Sequence, residues 1–445
     1  MLSNRLINDV NLKKMMRILL IFIVLSFSIN AFAQPKTNAF LQNILLKNQD
    51  TVFQKVLSHP EQYRLQIIYT QINRDKNNQP LFKNYYYNVD SLFYFNPAST
   101  VKLPLAALSL EKLNGIKIDG VNKYTSMQFD SAYSNQTKEL YDSSSENNFP
   151  SIAHFIKKAF LISDNDAYNR MYQFVGQQTI NKQLHNKGYN DVRITREFMG
   201  FTDDENRHTN PIRFIDASGK LLYAQPMLYN KDSFDFSHTI KIGKAHYNNN
   251  DSLVNEPIDF TKVNNLPLQD LQQILQSILF PLSVSSKQRF NLTKDDYNFL
   301  KRYLSQYPSE TNYPKYDTTQ YFDSYVKFYF QDSLHHDMPS TIRVFNKVGW
   351  AYGFLTDVSY VVDFKNNIEF MLTATVYVNS DEILNDDKYD YETIGHPFMY
   401  QLGQTIYNYE LTRTRKYKPD LSDFKINYEH RNVNDTRPSI KNADN

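Results

Sequence analysis

The alternation of apolar and polar positions predicts both helices and strands along the chain. Apolar residues recur at helical spacing in five stretches, near residues 38–57, 98–113, 151–187, 292–307 and 394–409. Two β-hairpins are predicted where β-rich runs flank polar turns, at residues 63–88 and 356–378. Because one hairpin lies near each chain end, this order predicts an α+β fold. Its antiparallel sheet would come from both chain ends, with an inserted helical region between the two halves.

Two segments depart from this pattern and set the predicted domain organisation. Residues 216–290 are polar, rich in Asn and Asp and poorly periodic, so we interpret them as an insertion or a small subdomain. Residues 412–445 are charged and lack apolar periodicity, which indicates a loosely held polar C-terminal tail. The rest of residues 34–411 is predicted to form one domain that carries this insertion.

The first 33 residues are typical of a secretory signal peptide. A basic stretch that ends at Arg17 precedes an apolar run at 18–27, and Ala31-Phe32-Ala33 supplies an A-x-A cleavage site. An uncleaved membrane anchor is the alternative, but the apolar run is short for a bilayer span. We therefore expect cleavage after Ala33, a mature protein without a membrane span, and a secreted or periplasmic location.

Charge and composition exclude several classes of partner and chemistry. The formal net charge is +2 at pH 7, too small to attract nucleic acid strongly. The chain has no cysteine, which excludes disulfides, thiolate metal sites and a cysteine nucleophile. We interpret His335-His336-Asp337 as a polar loop, because no helical ligand spacing accompanies it. No metal, no cofactor and no nucleic-acid partner are expected.

The first motif with chemical meaning is Ser99-Thr100-Val101-Lys102, at the predicted start of a helix. A separation of three residues places Ser99 and Lys102 on one helix face, so the amine can reach the hydroxyl. A serine hydroxyl becomes a useful nucleophile only when a positioned base takes its proton. The same S-x-x-K pattern also begins at Ser109, Ser324 and Ser422. Context favours Ser99, which opens a long apolar helix after a strand region and an Asn-Pro turn.

The second motif is Ser163-Asp164-Asn165, which occurs once in the chain. Ser163 offers a second hydroxyl that could relay a proton, and Asn165 offers both a donor and an acceptor for a substrate amide. The alternative is that Ser163 or Asp164 simply caps the following helix. The two interpretations are compatible, since a cap also fixes the geometry of such a site.

The third motif is Lys347-Val348-Gly349, which precedes Trp350 and the last predicted hairpin. A Lys-x-Gly on a strand beside the nucleophile would supply a cation and a backbone that approaches closely. The N–H of the next residue, Trp350, could then help to stabilise an oxyanion. Lys241-Ile242-Gly243 also matches, but the Asn-rich stretch after it is a poor strand.

Taken in order, the three motifs resemble those of the class A β-lactamase and penicillin-binding-protein superfamily. The resemblance covers roughly residues 40–215 and 290–410. It implies that Ser99 is acylated, that Lys102 activates it and that Ser163 relays a proton, but it leaves open which lysine takes the first proton. The remaining site residues that it implies as electrostatic, substrate-binding or oxyanion contacts are Lys347, Asn165, Gly349 and Trp350.

The chain departs from the family at two positions. No E-x-x-L-N occurs in the loop that should hold the deacylating Glu, which leaves Glu197 and Glu205 as candidates. Without a Glu that holds a hydrolytic water, an acyl-enzyme formed from a β-lactam should persist. Val348 replaces the hydroxyl residue that usually helps to hold a substrate carboxylate, so recognition of a carboxylate should be weaker.

The resemblance implies an exported serine hydrolase of the β-lactamase type, with a β-lactam or a peptidoglycan-like amide or ester as its small-molecule substrate. A peptidoglycan D,D-peptidase or a small-ester hydrolase is the alternative among enzymes. A catalytically idle binding or sensing module with the same fold is the alternative of another class.

Overall fold

A computed structural model of the chain describes residues 36–331, 337–432 and 434–443. Residues Thr37–Asn445 are grouped as one compact unit, to which the following description refers. The predicted signal peptide, residues 1–33, and the pair His335-His336 lie outside the described residues.

Helices and strands occur at both chain ends, and mainly helices occupy the middle. The α-helices of the described part are α1 (Ala39–Leu45), α2 (Thr51–Ser58), α3 (Lys102–Gly115), α4 (Ile152–Leu161), α5 (Asn165–Val175), α6 (Gln177–Asn186), α7 (Leu268–Leu279), α8 (Lys294–Ser305) and α9 (His396–Thr412). The strands are β1 (Gln66–Arg74), β2 (Pro80–Tyr87), β3 (Ser126–Phe129), β4 (Ile212–Ile215), β5 (Leu221–Gln225), β6 (Lys241–Ile242), β7 (Ala245–Tyr247), β8 (Leu253–Val254), β9 (Ile258–Asp259), β10 (Ile342–Ala351), β11 (Phe354–Asp363), β12 (Ile368–Tyr377) and β13 (Ile383–Leu384).

The main sheet joins the two chain ends, as the order of elements predicts. Its five strands lie in the order β10-β11-β12-β1-β2, and every neighbouring pair is antiparallel. The join is the pairing of β1 with β12, in which Gln66 faces Thr375. The predicted α+β fold, with a sheet from both ends and helices inserted between them, is confirmed.

The sheet is covered on both faces, which explains why its central strands are apolar throughout. Every residue of β11 and β12 is buried. Successive residues serve different cores: Leu372 belongs to the cluster shared with α1, α2 and α9, and Met371 to the cluster shared with the inserted helices. The cluster that contains Met371 holds α3 against the sheet. It therefore fixes the start of α3 beside β10.

Two of the predicted helical stretches, 38–57 and 151–187, are each divided into shorter helices. Residues 38–57 form two short helices, and the second begins after Asp50, whose side chain accepts the N–H of Phe53. The stretch 151–187 is divided into α4, α5 and α6. The breaks fall at Ser163, with φ +66°, and at Gly176, with φ +84°.

The segment 216–290, which the sequence predicts as an insertion, is partly packed into the main core. It contains the short strands β5 to β9, but it also contains α7, which packs against β11, β12 and α3. Nine of the twelve residues of α7 are buried, so this helix is part of the main core. The boundaries of the predicted insertion stay a prediction.

The segment after Thr412 is bound to the body, which corrects the prediction of a loosely held tail. Phe424 is buried, and its ring lies 4.7 Å from that of Tyr360 and 5.3 Å from that of Phe280. Further along, Ile440 pairs with Tyr316 in an isolated bridge. A few apolar anchors thus hold a segment whose average composition is polar. Among the described residues, no helix is long and apolar enough to cross a membrane.

Candidate active site

Ser99 lies on a tight turn that presents it at the start of α3. The turn is a 3₁₀ helix, Ala98–Val101, that leads directly into α3. The side chain of Asn96 accepts the N–H of Ala98 at 2.8 Å, and Ala98 has φ +42°. A non-glycine residue in this left-handed region costs energy, and such strain is concentrated at functional sites. The predicted helix start is therefore a rigid turn that holds Ser99 half-buried.

Lys102 lies one turn later and is fully buried. Its Nζ is 2.7 Å from Ser99 Oγ and 2.8 Å from Asn165 Oδ1, and it also contacts the main-chain carbonyl of Ser163. Burial lowers the pKa of Lys102 to about 7, against an opposing effect of the nearby Asp164. A substantial fraction of this amine is therefore neutral at physiological pH.

Ser163 lies between two lysines, on the short link between α4 and α5. Its Oγ is 2.8 Å from Lys347 Nζ and 3.3 Å from Lys102 Nζ. Asp164 caps α5 by accepting the N–H of Ala167 at 2.7 Å. The capping role and the placement of Ser163 in the site thus hold together, because the cap fixes the turn from which Ser163 projects.

Lys347 comes from β10 and approaches Ser163 from the opposite side to Lys102. Its Nζ lies 2.8 Å from Ser163 Oγ and 2.7 Å from the carbonyl of Val348. Burial lowers the pKa of Lys347 well below its ordinary value, and the positive charge of Lys102 lowers it further. Asp357 acts in the opposite direction. Two buried lysines thus share one serine hydroxyl.

Gly349 lets β10 lie directly against the Ser99 turn. A Cβ atom at this position would lie 2.6 Å from the carbonyl oxygen of Pro97 and 2.9 Å from the backbone nitrogen of Ser99. Any larger residue would force the strand and the turn apart. Val348 faces the other side of the sheet and is buried in the core shared with α1, α2 and α9. No side chain from Val348 therefore reaches the site.

These residues open onto a cleft of about 840 Å³. Ser99, Ser163 and Asn165 line its floor, and Trp350 lines the side next to β10. Lys102 and Lys347 lie behind this lining, in contact with Ser163. A ligand in the cleft would therefore meet the hydroxyls first and the amines only through them.

Of the two candidate carboxylates, Glu197 lines the cleft. Its side chain is buried; one carboxyl oxygen accepts from Gln173 Nε2 at 2.8 Å, and the other has no hydrogen-bond partner. Burial raises the pKa of Glu197 to about 8, with a smaller lowering effect from Gln173. Glu197 is therefore mainly protonated at neutral pH.

Glu205 is held by its own loop, and it is not among the residues that line the cleft. Its carboxylate accepts hydrogen bonds from Ser134, Asn135 and Thr202. The hydrogen bonds of Ser134 and Thr202 lower the pKa of Glu205 to about 2. This carboxylate stabilises the loop, and its position does not favour the role in deacylation considered for it.

Sequence reasoning missed the side chain that covers Lys102. The ring of Phe198 lies 5.2 Å from Lys102 Nζ and stacks on Tyr168 at a centroid distance of 4.3 Å. Its backbone N–H donates to Asn169 Oδ1 at 2.8 Å, which fixes the loop at this point. No pattern marks Phe198 in the sequence apart from its place next to Glu197.

The competing motifs lie elsewhere and are engaged in structural contacts. Ser109 Oγ donates to the Leu105 carbonyl within α3, and Lys241 belongs to the short strand β6. Lys327 is buried and donates to the Leu304 and Val344 carbonyls. Within the ranges that the structure describes, no group of three or more His, Asp or Glu residues is placed to bind a metal.

Comparison with known proteins agrees with the motif analysis. Residues 51–230 match a family model described as the Beta-lactamase enzyme family. This range contains the first two motifs, and Lys347 lies beyond it. No curated protein matches the chain.

Three similar solved structures are named as β-lactamases. One from Sphaerobacter thermophilus DSM 20745 has 14% identity and a TM-score of 0.43, and the alignment covers 82% of this chain and 98% of that chain. A class A β-lactamase from Clostridium kluyveri DSM 555 has 14% identity and a TM-score of 0.43, with 80% and 100% covered. One from Francisella tularensis has 14% identity and a TM-score of 0.44, with 81% and 100% covered. The family match over residues 51–230 confirms the resemblance to the serine β-lactamase and penicillin-binding-protein superfamily and supports a serine β-lactamase-like hydrolase.

Proposed function

We propose that the protein is an exported serine hydrolase that forms an acyl-enzyme on Ser99 and opens the cyclic amide of a β-lactam. The observation that carries this proposal is the contact of Ser99 Oγ with a buried lysine amine that makes no ion pair with a carboxylate of the described residues. The signal peptide would be removed after Ala33, so the mature enzyme would act in the periplasm or outside the cell.

The hydrogen bonds around Lys102 suit a neutral amine that acts as a base. A neutral amine has two N–H donors and one lone pair. The carbonyl of Ser163 and the Oδ1 of Asn165 are acceptors, so they take the two donors. The lone pair is left for the hydroxyl proton of Ser99, 2.7 Å away. This favours Lys102 as the group that takes the first proton.

Acylation would then proceed in two stages that involve three proton transfers. The proton of Ser99 passes to Lys102 Nζ as Oγ forms a bond to the carbonyl carbon of the substrate. The backbone N–H groups of Ser99 and Trp350 would stabilise the resulting oxyanion, because Gly349 lets the strand lie against the turn. Ser163 then gives its proton to the leaving nitrogen and is reprotonated from Lys102, 3.3 Å away, as the C–N bond breaks.

The other two motif residues would hold the substrate and tune the relay. Asn165 uses its carbonyl oxygen on Lys102, which leaves its amide nitrogen to donate to a substrate carbonyl. Lys347 contacts Ser163 Oγ and keeps that hydroxyl oriented between the two amines. Its depressed pKa limits the positive charge that accumulates beside the protonated Lys102.

Deacylation needs a base that activates water, and Glu197 is the candidate carboxyl at the cleft. Because its pKa is raised to about 8, little of it is ionised at neutral pH. This observation favours a second candidate function, a peptidoglycan D,D-peptidase or penicillin-binding enzyme, in which an adduct formed from a β-lactam persists.

Intact-mass spectrometry of the mature protein incubated with a penicillin tests the proposal. A lasting adduct on Ser99 would indicate a penicillin-binding enzyme with slow deacylation. Hydrolysed product without a lasting adduct would indicate a β-lactamase. Neither adduct nor product, in a folded protein, would contradict a β-lactam substrate and favour a small ester or an idle module.

Two variants assign the nucleophile. Ser99→Ala should abolish both adduct and turnover, because no other hydroxyl touches Lys102 at a comparable distance in the described site. Ser422→Ala is the matched control, since Ser422 also begins an S-x-x-K pattern but is exposed in the C-terminal segment. Full turnover by Ser99→Ala would show that the nucleophile is assigned wrongly.

A further inference from the structure

The cleft lining includes apolar side chains from three separate segments, which together we call the apolar wall. Phe198 and Met199 come from the loop after α6, Ile258 and Phe260 from the segment around β9, and Tyr352 from the turn between β10 and β11. The wall faces the same cleft that Ser99 lines. Apolar side chains that converge beside a few polar groups are typical of a binding site for a small molecule.

Tyr352 sits on this wall in a strained backbone conformation. It has φ +53° and is followed by Gly353 with φ +81°, in a two-residue turn between the paired residues Ala351 and Phe354. Turns with two positive φ values favour Asn, Asp or Gly at the first position, and a bulky side chain there is an outlier. The residue is 36% exposed, so burial in the core does not compensate for the strain. Strain of this kind is found preferentially at functional sites.

Phe260 holds the ring of Tyr352 in place. The two rings meet edge to face at 5.2 Å with an interplanar angle of 85°. Phe260 itself is 2% exposed, and its N–H donates to the Ile240 carbonyl at 2.8 Å. Its ring also lies 5.9 Å from that of Tyr94. The wall is therefore preorganised, which reduces the entropy lost when a flat ligand binds against it.

The two carboxyl groups nearest the wall have little to offer a ligand, whereas Arg196 also lines the cleft and brings a guanidinium that could donate to a polar group of the ligand. Asp259 is exposed, and its carboxylate already accepts the N–H of Thr261 at 2.8 Å. Glu197 is mainly neutral at physiological pH because burial raises its pKa to about 8. Val348 faces the core and brings no hydroxyl to the cleft. The apolar wall therefore presents carbon atoms to a ligand, and Val348 of the adjoining strand β10 offers it no side-chain hydrogen bond.

We propose that Phe260 and Tyr352 form an acyl-group subsite, and that the enzyme prefers esters or amides whose acyl part carries an aromatic ring. This inference rests on the proposed acylation of Ser99 and names its substrate class. The ring would pack between the edge of Tyr352 and Ile258, in the geometry that aromatic pairs favour. Tyr352 and Phe260 are specificity-determining residues in this proposal, and the chemistry stays with Ser99 and Lys102.

The ratio of kcat/KM for p-nitrophenyl phenylacetate to that for p-nitrophenyl acetate tests the subsite. We expect wild type to favour the phenylacetyl ester by about tenfold or more, as burial of an added apolar group implies. In Tyr352→Gly, which removes the ring and relieves the strain, the ratio should fall at least about fivefold. Asn367→Gly is the matched control, because Asn367 also has positive φ in a hairpin turn of the same sheet and is not among the cleft residues. An unchanged ratio in Tyr352→Gly would overturn the proposal.

A binding measurement separates this proposal from the proposed function. Trp350 is the only tryptophan of the chain and lines the cleft, so its fluorescence reports on occupancy. Phenylacetate should quench it saturably in Ser99→Ala and bind at least about fivefold more weakly when Tyr352→Gly is added. If this quenching and its weakening in Tyr352→Gly are seen but neither a penicillin nor either ester acylates Ser99, the subsite stands and the proposed function fails. If a penicillin acylates Ser99 but the esters are hydrolysed without preference and phenylacetate does not quench, the subsite fails and the function stands.

Discussion

The cleft and the junction between Lys123 and α8 each contain a buried lysine, but the two lysines behave differently. Lys102 contacts hydroxyl, carbonyl and amide oxygens, and burial lowers its pKa to about 7. Burial alone would also lower the pKa of Lys123, but its ion pairs with Asp295 at 2.5 Å and Asp296 at 2.9 Å raise it instead. The difference shows that the partner, and not burial alone, decides whether a lysine can give up its proton.

Glu197 and Glu205, in a loop of the same region, show the same contrast for acidic side chains. Glu197 has a carboxyl oxygen without a partner, and its pKa is raised to about 8. Glu205, eight positions further along the chain, accepts hydrogen bonds from three side chains, and its pKa is lowered to about 2. In both pairs, the group at the cleft is the one whose pKa lies near neutral, and the group outside it is held in its charged form. That distribution is typical of a catalytic site, where proton transfer needs groups that titrate near neutral pH.

The largest expected effect on acylation comes from replacing Lys102 with methionine, and the same replacement of Lys123 is its comparison. Lys102→Met should slow acylation of Ser99 about a thousandfold, because it removes the base next to the hydroxyl. Lys123→Met should leave acylation nearly unchanged and lower the melting temperature, since Asp296 would be left buried without a cation. Single-turnover kinetics with a chromogenic β-lactam and thermal unfolding measure the two effects. Equal loss of activity in the two folded variants would contradict the contrast.

A second comparison, with a smaller expected effect on acylation, is between Gly349 beside Ser99 and Gly115 at the end of α3. Gly349→Ala should slow acylation about a hundredfold, because the added Cβ would meet the Pro97 carbonyl at 2.6 Å and push β10 away from Ser99. Gly115→Ala is the matched control, since nothing lies within 4 Å of its added Cβ at the exposed end of α3. It should stabilise the fold by up to about 1 kcal/mol. Kinetics and thermal unfolding of both variants check the pair, and normal acylation by Gly349→Ala would show that close approach is not required.

The sequence predicts the frame of the site well because its motifs carry local geometry. The spacing of Ser99 and Lys102 predicts their contact from helix periodicity alone. The hairpins predict their own strands through the turn residues between apolar runs. The meeting of Ser163 with Lys347, 184 positions apart in the chain, follows only from resemblance to the family, because no local pattern encodes so distant a contact.

Features that depend on tertiary packing could not be predicted in this way. No motif marks Glu197 or Glu205 in the sequence, and their environments in the fold separate them. The polar composition of 412–445 indicated a loose tail, yet one buried ring, Phe424, joins that segment to the core. The apolar wall comes from three segments that share no motif, so nothing in the chain order links Phe260 with Tyr352. Average composition is a poor guide where a few side chains decide the contact.

A smaller effect is expected from neutralising the two glutamates. Glu197→Gln should slow deacylation about tenfold at pH 7, since about a tenth of this carboxyl is ionised there and available as a base. Glu205→Gln should leave deacylation unchanged and lower the melting temperature, because Ser134 and Thr202 would lose a charged acceptor. The lifetime of the acyl-enzyme in intact-mass spectra measures the first effect. A longer lifetime in Glu205→Gln than in Glu197→Gln would reverse the assignment.

The finest test uses pH, because the two cleft groups should titrate about one unit apart. Acylation needs neutral Lys102, so its rate should rise with pH through about 7 and be lost as the amine is protonated below that value. Deacylation needs ionised Glu197 and should rise through about 8. Asp164→Asn should move the acylation midpoint to lower pH, because Asp164 favours the charged form of Lys102 and an Asn still caps α5. A pre-steady-state pH profile from 5.5 to about 9 resolves the two midpoints. An acylation rate that does not change over this range would mean that Lys102 is not the base, and the contrast between paired and unpaired lysines would lose its catalytic meaning.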